Sequence, residues 1–446
     1  MSLVGSFSVR VREGSLLTSM YSIPLASLSE KEMVRHKSSL LMSPKTYGSS
    51  NSDSDFPAFY EFEGRFFVPR FYGMKMFGVP EKDITNLGSE ACLTFCGSLN
   101  NMQEEASASC VKALKERGGG MLVLPCGNGK TVVGLHIASR IGVRTLVLVN
   151  KSFLVDQWKE RIHQFLPESK VGILQRDKVE VECDVVVGMV QSILSREYDM
   201  SSFGLVIGDE AHHYAAPSFS KLFNSPTTSL RPNKVLALTA TPNRQDGLTP
   251  LIHHCMGDVA YQLSDLKSRT KEKVTAHILV FDGGHKEIAN KAGQPFLPGM
   301  INKLCNDKRR NKVIIDLLES FKVEGRKVIV LSDRVAHLTY LHQNVEGSAM
   351  YYGKSTKAER EQGEKEQILL STFSYAKEGL DIKELDTLIL STPKADVEQS
   401  VGRILRPCST KMDPLIIDLV DPFSLFQYMA HKRKKLYEKL GFEIEH

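Results

Sequence analysis

Five short apolar runs, MLVLP, TLVLVN, DVVVGM, GLVIGDE and VLALTAT, recur between residues 99 and 275. None alternates polar with apolar positions, so each reads as a strand buried on both faces of a parallel sheet. Between them, TVVGLHIASRI and DQWKERIHQFL space their apolar residues as helices do. Strand and helix alternating in this way predict a doubly wound α/β domain. The pattern repeats over residues 276–446, where RKVIVLS, GSAMYY, KEQILLST, LDTLILS and DPLIIDLV are again strand-like. The polar, glycine-bearing KSRTKEKVTAHILVFDGGHK between the two reads as a hinge. Residues 1–98 read as a small, irregular accessory domain. Its serine-rich KSSLLMSPKTYGSSNSDSD is a loop or linker, and EFEGRFFV, with Gly64 between β-prone runs, is a turn between short strands.

With 446 residues, 42% of them hydrophobic, the chain can bury two ordinary cores and a smaller appendage. A net charge of +5 is compatible with a polyanionic partner without establishing one. Of eight cysteines only Cys92 and Cys96 are close, and no second pair or matching histidine spacing follows, which argues against zinc. Scattered thiols, no bilayer-length apolar stretch and no secretory layout point to a soluble, intracellular protein without a membrane partner.

Candidate chemistry falls in three places. In LPCGNGKT (Leu124 to Thr131), Gly127 and Gly129 let backbone N–H groups wrap a phosphate, Lys130 reaches the β and γ phosphates, and the Thr131 hydroxyl binds Mg²⁺. The helix that follows favours an anion at its N-terminus. Leu124 stands where glycine or alanine is common. GLVIGDEAHHY then ends a buried strand with two carboxylates: Asp209 to hold Mg²⁺ through water, Glu210 to polarise the attacking water. His212 is placed to couple this site to neighbouring motifs, and His213 to pack or face solvent. Far downstream, VEQSVGRILRP supplies Gln399, Arg403 and Arg406, the two arginines on one helical face. A second core delivering arginines to the phosphates is the design of an ATP-driven machine.

The ordered set resembles a superfamily 2 helicase over about residues 99–420. LPCGNGKT is similar to motif I, VNKSFLVDQW to motif Ia, GMVQS to the following nucleic-acid motif, and DEAH to motif II. TAT (Thr239 to Thr241) is similar to motif III, STFSYAKEGLDI to motif V and QSVGRILRP to motif VI. The resemblance implies two tandem RecA-like domains with ATP and Mg²⁺ as cofactors. LPCGNGKT, DQW and TATPNRQD resemble the XPB/UvsW-like DNA helicase branch, and the segment leading into the phosphate loop resembles large-DNA-virus members, including the poxvirus transcript-release group. Arg244, Gln245 and Asp246 stand where that branch has Arg-Glu-Asp, so glutamine replaces glutamate. By the same resemblance Gln103 reads adenine, with Asn100 and Asn101 where relatives have a basic residue. Cys126 and Asn128 belong to the phosphate loop, and Gly379 and Asp381 line the nucleotide cleft. Gln191, Ser192, Ser332, Arg334 and Thr372 touch a nucleic-acid strand.

Plainer readings cover the remainder. Trp158 packs its helix against the sheet; Arg65 to Tyr72 form a small strand core; HKRKKLYEKL and DKRRNK either follow a phosphate backbone or are solvated faces. The expected partner is DNA, single-stranded or duplex with a single-stranded end, with RNA or a transcription complex as alternatives. The expected enzyme is a DNA helicase or translocase, monomeric or a subunit of a larger assembly. The alternatives are an ATP-gated remodelling factor and an RNA helicase. The compartment expected is cytoplasm or nucleus, or host cytoplasm or virion for a viral chain.

Overall fold

The computed structural model describes residues 11–44, 55–125, 127–244, 246–263, 273–353, 355–379, 382–404, 408 and 412–446. Cys126, Gln245, Asp381 and Arg406, part of the serine-rich stretch (45–54) and residues 264–272, which include the start of the expected hinge, lie outside the described residues. The chain forms two compact units, one holding Met1–Leu124 and Asn128–Leu263, the other Pro125–Gly127 and Ser264–His446.

The first unit carries an eight-stranded sheet. Its order is Lys178–Val179, Val171–Gln175, Val185–Met189, Thr145–Val149, Leu205–Gly208, Lys234–Thr239, Gly119–Val123 and Val259–Gln262. All neighbours are parallel except the edge pair of Lys178–Val179 with Val171–Gln175. The central strands are apolar on both faces because helices cover both sides. Five of the eight strands were legible as apolar runs; the other three are peripheral and partly exposed.

The accessory region has more order than its sequence suggests. Its five-stranded sheet runs Tyr60–Phe62, Arg65–Pro69, Met20–Pro24, Val11–Leu17 and Val79–Asp83. The EFEGRFFV turn forms, with Glu63 and Gly64 both left-handed at φ 49° and 70°. Helix Glu30–Ser39 starts at a capping box between Ser29 and Glu32. Tyr21, Ile23, Phe66 and Val68 belong to the same apolar cluster as Met121, Val235 and Met256 of the larger sheet. Buried Arg70 fastens the two sheets polarly, donating to the carbonyls of Pro232 at 2.7 Å and Asn233 at 2.8 Å. Burial pulls its guanidinium down to about 10, so it stays charged at neutral pH.

The second unit has seven parallel strands in the order Ser348–Tyr351, Ile368–Thr372, Val328–Ser332, Thr387–Leu390, Leu415–Val420, Thr275–Val280 and Glu443–Glu445. The expected hinge therefore contains a strand, Thr275–Val280, which gains its partner from Leu415–Val420 rather than from local pattern. Two buried ion pairs brace this unit: Arg310 on Asp421 at 2.9 Å and Arg433 on Asp418 at 2.8 Å, with Tyr437 also donating to Asp418 at 3.0 Å. These arginines come from DKRRNK and HKRKKLYEKL, so at Arg310 and Arg433 neither a phosphate track nor a solvated face holds. Their acidic partners were hidden inside the apolar run DPLIIDLVD. Among the described residues no helix is long and apolar enough to cross a membrane.

Candidate active site

Three adjacent parallel strands, Gly119–Val123, Lys234–Thr239 and Leu205–Gly208, carry the candidate groups at their C-terminal ends. That is where open α/β sheets place ligands, because helices begin there and their free N–H groups face the same crevice. Gly127 and Gly129 have φ of 83° and 77°, a conformation that disfavours any other residue. Gly129 caps helix Lys130–Ile141, and a Cβ there would stand 2.5 Å from Gln103 Nε2. Gln103 donates to the Asn128 carbonyl at 3.2 Å and accepts from Asn100 N–H at 3.1 Å, locking the helix Asn101–Arg117 to the loop. Asn100, standing where a basic residue was expected, is thus a helix cap. Lys130 Nζ donates to the Leu124 carbonyl at 3.2 Å, so the lysine lies back across its own loop. Thr131 follows it in the first helical turn.

Asp209 and Glu210 follow the strand Leu205–Gly208 and are buried, at 9% and 7% exposure. Asp209 accepts two hydrogen bonds, one per oxygen: from Glu210 N–H to Oδ1 at 2.9 Å and from Trp158 Nε1–H to Oδ2 at 2.8 Å. Burial and the neighbouring Glu210 push its carboxyl up to about 6, against the pull of Trp158 and Lys130. Glu210 is left-handed, φ 48° and ψ 56°, a strained conformation for a non-glycine residue. Glu210 Oε2 lies 3.4 Å from His212 Nδ1 and makes no hydrogen bond among the described residues. Buried carboxylate oxygens rarely stay so, and a polarised water or a cation suits this one. The glycine cradle, the free helix N-terminus and the buried acidic pair together fit a magnesium–triphosphate group.

Arg244 ties the next strand to this turn. Its guanidinium donates to the His212 carbonyl and pairs with both oxygens of Asp246, Nε to Oδ1 at 2.9 Å. Thr239 and Thr241 hydrogen-bond each other through Thr239 Oγ1 at 3.1 Å. Trp158 packs as expected, but sequence reasoning missed its bond to Asp209. The signal available was that an indole buried in an apolar helix must find an acceptor.

The candidate strand-contacting residues divide. Gln191 is exposed and donates to the Asn150 carbonyl at 3.0 Å. The Ser192 hydroxyl is turned inward, accepting from Arg176 N–H at 2.9 Å. In the second unit, Thr372 is half-buried beside Ser374. Arg334 is half-buried, donating to Asn302 Oδ1 at 2.6 Å and the Pro298 carbonyl at 3.3 Å. Ser332 is fully buried, accepting from Arg334 N–H at 3.1 Å and touching His337 Nδ1 at 3.1 Å, so it shapes the Arg334 loop. Gln399 is buried, and neither of its amide atoms has a hydrogen-bond partner among the described residues. Arg403 lies on the same helix, Glu398–Ile404, and Gly379 closes helix Phe373–Gly379.

His337 yields a separate prediction. It also meets Asn311 Oδ1 at 2.9 Å, and burial together with Arg310 lowers its pKa to about 3. A lowered histidine pKa means that the unfolded chain takes the proton first. This contribution to stability is therefore complete above about pH 6.5 and is lost as pH falls toward 3. Between pH 7 and 5 the melting of this unit should weaken more steeply in the wild type than in His337→Gln. The difference should approach about 1.4 kcal/mol per pH unit, and equal slopes would refute it.

Parallel α/β units with a phosphate loop and an acidic pair at adjoining strand ends define a P-loop nucleotide hydrolase, and the comparisons narrow this further. Residues 97–244 match the family described as type III restriction enzyme, res subunit, and residues 309–408 match the helicase conserved C-terminal domain. A protein of Acanthamoeba polyphaga mimivirus named as an ATP-dependent RNA helicase is 32% identical over 87% of this chain and 78% of its own length. One of African swine fever virus (isolate Warthog/Namibia/Wart80/1980), named likewise, is 26% identical over 77% and 73%. The solved structure of S. cerevisiae Dbp5 bound to RNA and ADP BeF3 aligns with a TM-score of 0.54 at 14% identity, covering 84% of this chain and 91% of that one. It shares the fold of two RecA-like α/β units. The chain belongs to the superfamily 2 helicases. It is an ATP-dependent helicase, with ATP and Mg²⁺ as its cofactors.

Proposed function

We propose that the chain is a DNA helicase or translocase of the XPB/UvsW-like branch, close to the transcript-release type of large DNA viruses. The observation that carries this reading is the TATPNRQD segment, whose Arg244 is fixed between Asp246 and the His212 carbonyl. This links the third motif to the acidic turn through a contact that TATPNRQD, by its wording, supplies. RNA is the second reading, favoured by the names of the two viral relatives.

In this reading the accessory domain spans residues 1–98 and the two RecA-like domains 99–275 and 276–446. The phosphate loop from Cys126 to Thr131 holds the triphosphate, Lys130 its outer phosphates, Gln103 the adenine, and Gly379 and Asp381 further nucleotide contacts. Thr131 and Asp209 hold magnesium, which supplies charge neutralisation of the phosphates. Glu210 orients and deprotonates the attacking water, Gln399 assists, and Arg403 and Arg406 meet the charge that develops on the transferring phosphoryl group. Gln191, Ser192, Ser332, Arg334 and Thr372 form the face that meets the strand, through phosphate and sugar. Affinity should then fall steeply with salt and depend little on sequence. The protein would act alone or within a larger assembly such as a transcription complex, inside the cell or, for a viral chain, in host cytoplasm or virion.

The deciding experiment is an ATPase panel with single-stranded DNA, duplex DNA and RNA, run beside a Glu210→Gln control. Stimulation by RNA alone would overturn the DNA assignment. Strand displacement compared with translocation separates a helicase from an ATP-gated remodelling factor. Arg406→Ala should retain ATP affinity while turnover falls at least about tenfold, below the full effect an arginine can have on phosphoryl transfer. Equal losses in binding and turnover would remove its role in the transition state.

A further inference from the structure

Trp158 is the only tryptophan of the chain and is 1% exposed. It sits midway along helix Ser152–Phe165, whose buried face is otherwise Phe153, Leu154, Val155 and Ile162. A phenylalanine would fill such a place without a polar atom to satisfy. An indole brings one donor and no acceptor, and here that donor meets Asp209 Oδ2 at 2.8 Å. On its other side the ring approaches the phosphate-loop helix: a Cβ at Gly134 would lie 3.6 Å from Trp158 Cη2. One side chain thus touches the helix that follows the phosphate loop and the carboxylate that ends the acidic strand.

We propose that Trp158 is a positioning residue that fixes the carboxylate plane of Asp209 for a hydrated divalent cation. The proposal rests on the ATPase reading of the site. With Glu210 N–H on Oδ1 and Trp158 N–H on Oδ2, each oxygen has one fixed donor and keeps a lone pair for a cation-bound water. A carboxylate held from both ends presents those lone pairs in one orientation and need not be ordered when the cation arrives. The same helix begins two residues after Asn150, whose carbonyl accepts from Gln191 at 3.0 Å.

The test uses the full chain as wild type and Trp158→Phe, which keeps the ring and removes the N–H. Melting by circular dichroism verifies the fold, and binding of a fluorescent ADP is titrated with MgCl₂ or measured in EDTA. Trp158→Phe should bind ADP in EDTA within about twofold of wild type but need at least about tenfold more Mg²⁺ to reach half of the magnesium-dependent signal, as loss of a hydrogen bond to a charged group implies. An unchanged Mg²⁺ requirement in a folded variant overturns the proposal. Wild-type emission is the second readout, needing no variant at this position. It comes from Trp158 alone, so it should change on adding ADP with Mg²⁺ and not on adding ADP in EDTA, and the change should vanish in Asp209→Asn. If Trp158→Phe does not fold, emission indifferent to Mg²⁺·ADP overturns the proposal instead. Failure here with Lys130→Ala and Glu210→Gln still inactive leaves the ATPase assignment standing; a wild type without ATPase activity removes that assignment itself.

Discussion

Lys130→Ala should reduce nucleic-acid-stimulated ATP turnover by roughly 10³ or more while the protein melts as before. Removing a single preorganised electrostatic group at a transition state costs about 10²–10³, and in the proposed site this lysine also orders the phosphates in the ground state. The backbone has no need of the side chain: Lys130 opens helix Lys130–Ile141, and alanine is a good helix former at that place. Its one hydrogen bond among the described residues, to the Leu124 carbonyl, is to a group that a bound phosphate would displace it from. Phosphate release measured with saturating nucleic acid, beside a melting curve, decides the matter. Unchanged turnover would dismantle the phosphate-loop assignment, and loss of the fold would show the lysine to be structural.

Glu210→Gln should lower the hydrolysis step by about 10²–10⁴ and leave ATP binding in place, the range expected when a positioned base is lost. The substitution conserves size, so the left-handed turn at φ 48° and the Glu210 N–H bond to Asp209 survive. What disappears is the charge on a buried oxygen that has no hydrogen-bond partner among the described residues. Relief of that charge also removes the repulsion that helps to raise the Asp209 carboxyl, so Asp209 titrates lower in the variant. Single-turnover hydrolysis set against nucleotide affinity separates the steps. A parallel fall in affinity would make Glu210 a binding group instead of a base.

The core of each α/β unit was legible because strands such as Thr145–Val149 and Val328–Ser332 are covered on both faces, and covered strands carry uninterrupted apolar runs. Edge and near-edge strands such as Val259–Gln262 and Thr275–Val280 are half-exposed, and only their neighbours reveal them. The phosphate loop and acidic pair were legible because their chemistry is local, written in a few adjoining residues. The partners that orient them were not. Trp158 and Asp209, or Arg310 and Asp421, are brought together only by the fold, and no spacing along the chain announces them. Ser332 matches a motif by position, and burial of its hydroxyl beside His337 is a placement no motif announces.

Arg70 gives the accessory sheet a bearing on how the gene can be cut. A buried charge between the two sheets has both terminal nitrogens of its guanidinium on carbonyls of one particular loop, Pro232 and Asn233, and the apolar cluster there takes residues from both sheets. Deleting the first hundred residues would strip a lid from grease and leave two peptide oxygens facing emptiness. A minimal motor trimmed to its nucleotide-binding halves should therefore come out of cells as inclusion bodies, whereas truncations that keep Val11–Asp83 spare it.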